Sequence, residues 1–415
     1  MPTSSDPTAS ERPSTQAALS VAASSASRMS DLEPIGFGPA GTTRLAWTPE
    51  DAAARAWFER QAAAGGLRAE RDPAGNLWAV PDGDGPWWGV GSHLDSVRSG
   101  GRHDGALGVA AAFEVAARAD VPLAVISFAD EEGARFNTPT FGSRALVGRL
   151  DVDDALGRID DDGVTLADAL AAAGVDPAGL AGAPARLALL RGFIELHIDQ
   201  TRDLERAGVP AGVVGSLASR MRVEVELTGR ADHAGTTRRR DRRDALAAAA
   251  RLIVRADELA AEDPDFVVTA TRLLVEPGAL TTIPAHVALW IDARAPAPDT
   301  VARWRAALDG VAGELAQSTG VAIEVRTVAH SAGVAFDAAI RARLSAACAG
   351  LGSAAQELVC FAGHDAGVLA ERVPARMVFV RNPTGVSHAP DEEVALEDAA
   401  VAAEAMLRAL EERAA

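Results

Sequence analysis

The 415-residue sequence predicts an α/β fold: a mixed, mostly parallel sheet with a smaller α+β unit inserted into it. Three observations carry this reading. Four short apolar runs each end in a polar cluster: Trp87–Gly91 in Ser-His-Leu-Asp, Leu123–Phe128 in Ala-Asp-Glu-Glu, Phe193–Leu196 in His-Ile-Asp-Gln, and Met377–Val380 in Arg-Asn-Pro-Thr-Gly-Val-Ser-His. Such runs read as buried strands with polar groups just past their carboxyl ends. The Ala-rich stretch Ala106–Ala119 between the first two reads as a helix, so strand, helix and strand alternate as in a parallel sheet. From Ser216 to His330 the order becomes β-α-β-β-α-β, the ferredoxin-like split unit, and none of the four strand-end clusters lies inside it.

Taken in chain order, residues 1–30 are rich in Ser, Thr, Ala and Pro and lack both a basic start and an apolar core. They read as a disordered leader rather than a targeting segment. Thr48 is placed to cap a helix beginning at Pro49, with Glu50 and Asp51 in the first turn, where the helix dipole favours acids. The main domain is expected over residues 31–215 and again over 331–415. The insert, 216–330, is expected to hold strands at Met221–Thr228, Phe266–Val275, Val287–Ala293 and Val321–Val328, and helices at Arg242–Leu259 and Val301–Gln317.

Composition narrows the function. Fifty-eight acidic against forty basic residues give a net charge of −18, which repels phosphate backbones and anionic lipid surfaces, so neither nucleic acid nor membrane is expected as a partner. No apolar run approaches the roughly 20 residues that span a bilayer, and a cytoplasmic location is expected. With Cys348 and Cys360 as the only cysteines, any metal must be held by His, Asp and Glu.

Those residues occur where strands end. His93, His197 and His388 follow apolar runs, with Asp95, Asp104, Glu131 and Glu132 in reach. A divalent ion takes three or four such N/O donors and offsets the crowding of carboxylates. Two ions need one shared ligand, and Asp104 between glycines suits that role; its alternative is to cap the helix that follows. Glu131 and Glu132 are adjacent at a strand end and point in different directions, so one can bind metal while the other handles protons.

The motifs Gly91-Ser-His-Leu-Asp-Ser-Val, Gly100-Gly-Arg-His-Asp-Gly, Asp130-Glu-Glu-Gly-Ala-Arg-Phe, Glu195-Leu-His-Ile-Asp-Gln, His233-Ala-Gly-Thr-Thr, Gly363-His-Asp-Ala and Gly385-Val-Ser-His-Ala-Pro together resemble the amidohydrolase and carbamoylase branch of the M20 metallopeptidase superfamily. The resemblance is collinear from about Gly41 to the C-terminus. It implies a catalytic domain split by a lid and dimerisation domain, a homodimer, and hydrolysis of a linear C–N bond in a small ureido or carbamoyl carboxylate such as allantoate or an N-carbamoyl-L-amino acid. It implies two divalent ions per chain, zinc first, with manganese, cobalt or nickel also suited to the donors. His93, Asp104 and His197 would hold one ion, and Asp104, Glu132 and His388 the other. Asp95 would orient His93, Glu131 would move the proton, and His233 would meet the reacting carbonyl. Gln200, Arg294, Thr281, Gly363 and His364 would contact substrate, with Arg294 pairing bidentately with a carboxylate. His197 separates this branch from the superfamily's dipeptidases and N-acyl deacylases, which usually carry a carboxylate there.

The sequence departs from the pattern at three places. Asp199 stands for the usual Glu before Gln200, a shortening expected to shift Gln200. Thr281 stands for an Asn, and Arg238-Arg239-Arg240 replace a Pro-Met stretch. That arginine run reads as a solvated helix start paired with Asp241 and Asp244. His103 is expected to face solvent.

Overall fold

The structure, a computed structural model, describes residues 25–353 and 357–411. These fall into two compact units: one built from the chain up to Gly215 with Phe336–Leu358 and Gly363 onward, the other from Ser216–Ala335 with Val359–Ala362.

The first unit is built on a large mixed sheet. Ala211–Leu217, Ala375–Val380, Leu190–Ile198, Trp87–His93, Leu123–Phe128, Leu77–Val80 and Arg68–Arg71 lie side by side in that order, and Glu357–Cys360 pairs with the first of them. The expectation of a mostly parallel sheet needs correction. The central four strands are parallel, but the strands flanking them on either side are antiparallel. Helical crossovers are required only where strands are parallel, and the short connection from Arg71 to Leu77 could only make a hairpin. Every residue of Leu123–Phe128 is buried, which is why its run is continuously apolar rather than alternating.

Two of the strands run further than the sequence suggested, to His93 and to Ile198. His93 and His197 therefore sit within the sheet's ladders rather than in the loops after them. The helix Ala106–Arg118 packs close to this sheet, because Gly108 faces the Leu196 carbonyl and the Ser92 side chain with no room for a Cβ. Thr48 caps the helix Pro49–Ala64 by accepting from the Asp51 amide. That helix contributes Trp57 and Phe58, whose rings meet Phe113 edge-on at 6.1 and 5.0 Å.

The leader expectation also needs correction at its end. Residues 25–32 are helical, with Met29 and Leu32 in the core and Arg28 paired with Glu114 at 2.9 Å. Composition alone did not reveal this, since the apolar anchors are only two and spaced by three. The remainder of the leader, residues 1–24, lies outside the described residues.

The second unit is a four-stranded antiparallel sheet in the order Val267–Glu276, His286–Ala295, Ser219–Thr228, Ala322–Ser331. Met221, Val223, Val225 and Leu227 alternate to one side and form a core with the helices Ala245–Glu258 and Pro298–Thr319. The Trp304 indole donates to the Ala256 carbonyl at 3.0 Å and ties the two helices together. The first of these helices begins at Ala245 rather than Arg242, because Asp244 caps it through the Ala247 amide. Arg242 instead binds the Thr237 and Ala234 carbonyls. The unit ends at Ala335 rather than His330, since Val334–Ala335 pairs with Leu217 and Ser216.

Candidate metal centre

The carboxyl ends of the parallel strands bring together residues far apart in sequence. Asp104 Oδ1 lies 3.3 Å from His93 Nε2 and 3.1 Å from His197 Nε2. Its other oxygen lies 3.7 Å from His388 Nε2, which is 3.2 Å from Glu132 Oε2. His93, Asp104 and His197 form one group with donor atoms within 4.8 Å of one another, and Asp104, Glu132 and His388 form a second. Asp104 does not cap the following helix, whose N-cap is Gly105 and has no side-chain bond. Gly105 has φ +63°, and a Cβ there would overlap the His93 imidazole. Its absence of side chain thus serves both the turn and the ring.

The donor set fits divalent cations. His93 Nδ1 lies 3.0 Å from the Asp95 carbonyl oxygen and His197 Nδ1 lies 3.1 Å from that of Ile198. A carbonyl only accepts, so each Nδ1 carries the proton and each Nε2 keeps its lone pair for a metal. Both Nε2 atoms and Glu132 Oε1 are buried without a hydrogen-bond partner among the described residues. Burial alone would lower the His93 pKa, but Asp104, Glu131 and Asp95 outweigh it and hold the value well above the ordinary range. Glu132 is raised to about 8 by burial and by Asp104 and Asp95. Acids crowded in this way hold protons unless a cation relieves them, and a bound cation inverts this local logic.

Glu131 stands apart from its neighbour. It belongs to neither donor group, its Oε2 is 3.8 Å from His93 Nε2, and burial together with Asp365, Glu132 and Asp95 raises its pKa well above the usual carboxylate value. Asp95 orients His93, and it does so through its backbone rather than its side chain. Its carboxylate lies 3.8 Å from His93 Nδ1 and instead accepts the amides of Glu131 and Glu132, both at 3.1 Å. It fixes the turn that splays those two acids, while its backbone carbonyl orients His93.

Several expected substrate contacts are occupied within the protein. Gln200 Nε2 donates to Asp104 Oδ2 and to Ser387 Oγ, both at 3.1 Å. The Asp199 carboxylate accepts from Thr201 and from the Leu204 amide, so the shorter side chain suits the turn. His364 is 2% exposed, with its ring 4.3 Å from that of His197, and neither of its nitrogens has a hydrogen-bond partner among the described residues. The neighbouring Gly363 opens onto free space. A third group, Glu195, His197 and His364, is less suited to an ion, because Glu195 already accepts from Ser92 Oγ and the Ala366 amide.

In the second unit, His233 Nδ1 accepts from the amides of Gly235 and Thr236, and Thr281 accepts from the Ala234 amide through its carbonyl. Arg294 donates from Nε to Asp292 and from Nη1 to the Phe361 carbonyl, both at 2.6 Å. The His103 ring does not face solvent. Its side chain is 12% exposed, and burial, aided by Arg102, lowers its pKa to about 4.

Sequence reasoning passed over Ser387, which donates to Asp104 Oδ2 at 3.0 Å, and Glu392. The first is adjacent to His388 and could have been found from its motif. The second sits in an acidic run, Asp391-Glu392-Glu393, that reads as solvated surface.

Residues 79–412 match peptidase family M20/M25/M40. The chain belongs to this family. The M20 chain is 38% identical over 327 residues to an N-carbamoyl-L-amino acid amidohydrolase of Geobacillus stearothermophilus, covering 76% of this chain and 79% of the relative. It is 33% identical over 315 residues to an allantoate amidohydrolase of Bacillus subtilis, covering 73% and 75%. Among solved structures, a hydantoinase/carbamoylase family amidase from Burkholderia multivorans superposes with a TM-score of 0.83 at 31% identity, covering 94% of this chain and 97% of the other. No helix among the described residues is long and apolar enough to cross a membrane.

Proposed function

We propose that this M20 chain is a metal-dependent amidohydrolase that cleaves a linear C–N bond in a small ureido or carbamoyl carboxylate, of the allantoate or N-carbamoyl-L-amino-acid kind. Two divalent ions, zinc first, would be held by His93, Asp104 and His197 and by Asp104, Glu132 and His388. The observation that carries the reading is the shared carboxylate, with one oxygen toward each group. The similarity to enzymes named for these substrates supports the substrate class. When bound, the ions supply Lewis acidity toward a carbonyl oxygen and toward water.

The chain's own residues do the rest. Glu131, buried and outside both groups, takes a proton from the attacking water and gives it to the departing nitrogen. The carbonyl carbon gains the water oxygen, and nitrogen leaves as ammonia or an amine. His233 accepts backbone hydrogen bonds at Nδ1, so its Nε2 carries the proton and can donate to the developing oxyanion. Arg294, braced by Asp292, offers its remaining donors to the substrate carboxylate. Gln200, Thr281, Gly363 and His364 would complete the substrate contacts.

The second unit would serve as a ferredoxin-like lid and as the homodimer contact. It holds no member of the donor groups, yet carries His233 and Arg294. Its edge strand Val267–Glu276 is largely exposed, including Leu273 and Leu274, and an unpaired apolar edge invites pairing with another chain. Small-angle scattering of a monomer, unchanged with a substrate analogue, would count against this role. The activity is tested by incubating metal-replete protein with allantoate, N-carbamoyl-L-amino acids, N-carbamoyl-β-alanine, dipeptides and N-acyl amino acids. Ammonia from a ureido acid is expected; turnover of only the dipeptides or N-acyl amino acids overturns the proposal.

A further inference from the structure

Behind the metal centre, a buried side chain from the other end of the sequence binds the backbone of the loop that carries Asp104. Glu392 is 2% exposed. Its Oε1 accepts from two consecutive backbone amides, His103 at 2.8 Å and Asp104 at 3.0 Å. A carboxylate accepting paired backbone N–H groups is among the stronger kinds of protein hydrogen bond, and here it fixes the peptide planes on both sides of His103. Asp104 is thereby presented with its side chain toward His93, His197 and His388.

Two further observations point the same way. Gly101 does not have the positive φ that characterises Gly105, so its lack of a side chain is not explained by backbone conformation. A Cβ at Gly101 would overlap the carboxyl group of Glu392. The second glycine of Gly100-Gly-Arg-His-Asp-Gly makes room for this carboxylate. In addition, Glu392 lies four residues after His388, and its amide bonds back to the Ala389 carbonyl at 3.3 Å. One short segment thus delivers His388 to the front of the centre and Glu392 to the back of the Asp104 loop, and so ties together two donors 284 positions apart in the sequence.

We propose that Glu392 is a positioning residue for the metal centre: by clamping the amides of His103 and Asp104 it sets the placement of the shared carboxylate and couples it to His388, with Gly101 as the space it requires. The inference rests on the metal-centre reading above. Groups that orient metal ligands typically change metal affinity or activity by about 10- to 100-fold when removed.

The experiment is zinc binding by the full chain, stripped of metal and titrated with Zn²⁺ against a chromophoric chelator, with the melting temperature of each metal-free variant measured in parallel. Glu392→Leu removes the acceptor and is expected to weaken zinc binding about 10- to 100-fold. Glu392→Gln keeps one acceptor oxygen and is expected to recover most of that loss. Gly101→Ala should weaken zinc binding in the otherwise unaltered chain but add little in Glu392→Ala, where its methyl group meets empty space. A merely structural role would lower the melting temperatures without that rescue and without that loss of additivity. The inference is overturned if Glu392→Leu binds zinc as tightly as the unaltered chain, or if Glu392→Gln fares no better than Glu392→Leu. Should Glu392→Leu fail to fold, the Gly101→Ala pair decides: equal losses in both backgrounds overturn it. Failure of the unaltered chain to bind zinc, cobalt or manganese would instead remove the metal-centre reading itself.

Discussion

Replacing Glu131 by Gln separates proton transfer from metal binding, because the amide keeps the size of the side chain and removes its basicity. Glu131 is buried, lies 3.8 Å from His93 Nε2 and is in neither donor group; Glu132, one residue on, is 3.2 Å from His388 and belongs to one. Of the nearby acids three are at least partly engaged, while Asp365 Oδ2 and both Asp130 oxygens have no hydrogen-bond partner among the described residues. Asp95 is engaged by two backbone amides, Asp365 by Ser143 and Glu195 by Ser92 and Ala366. Positioned acid–base groups contribute ~100- to 10,000-fold, which is about 2.7–5.4 kcal/mol at 1.36 kcal/mol per tenfold. A loss within that range is expected. The assay is steady-state ammonia release at saturating metal, with metal content measured on the same samples. Glu131→Gln should hold its metals and lose about 100- to 10,000-fold in kcat, whereas Glu132→Gln should lose metal. Near-normal turnover by metal-loaded Glu131→Gln, or metal loss matching that of Glu132→Gln, would refute the assignment.

Three other outcomes follow from the same geometry. Asp104→Ala should release both ions, because each donor group uses one of its oxygens; metal analysis showing two tightly held ions excludes the shared ligand. Arg294→Ala should lower kcat/KM by about 100- to 1000-fold, the cost of truncating one partner of a desolvated charge pair. Metal content should be unchanged, because Arg294 belongs to neither donor group. Arg294→Lys should recover only part of the loss, and equal turnover of acids and their carboxamides would count against the contact. Burial pushes the Asp292 pKa up, but Arg294 and Arg222 outweigh it and leave the value below normal. Its contribution to stability is therefore present above the unfolded value and lost as pH falls through the folded one. The gap in melting temperature between the unaltered chain and Asp292→Asn should accordingly close on acidification from roughly pH 6 to 3; a gap independent of pH removes the pairing.

The sequence by itself marked out the residues that the fold gathers into the two donor groups and roughly where the strands lie. Buried strands write themselves as apolar runs, and a histidine or acid at the end of one is conspicuous because nothing else there is polar. His93, Asp104, Glu132, His197 and His388 were legible for that reason, as was the β-α-β-β-α-β order of the insert, whose alternation shows which face is covered. Pairing direction was not legible, since Leu77–Val80 has the same composition whether its neighbour runs with it or against it. Nor was the reach of the two strands through His93 and His197, because a polar residue inside a ladder looks like the start of a loop.

What only the tertiary structure decided concerns groups whose role depends on a partner distant in sequence. Asp95 orients His93 through its backbone carbonyl, because the turn after Phe128 brings the amides of Glu131 and Glu132 to its carboxylate. Asp199 seemed a shortened Glu, until the amides of Thr201 and Leu204 showed what its length fits. Glu392 reads as one acid among three on the surface, and its burial follows from packing against a loop 288 residues away. Local pattern records how a residue meets solvent and its own turn of chain; which donor finds which acceptor across the fold is fixed only when the sheet places them side by side.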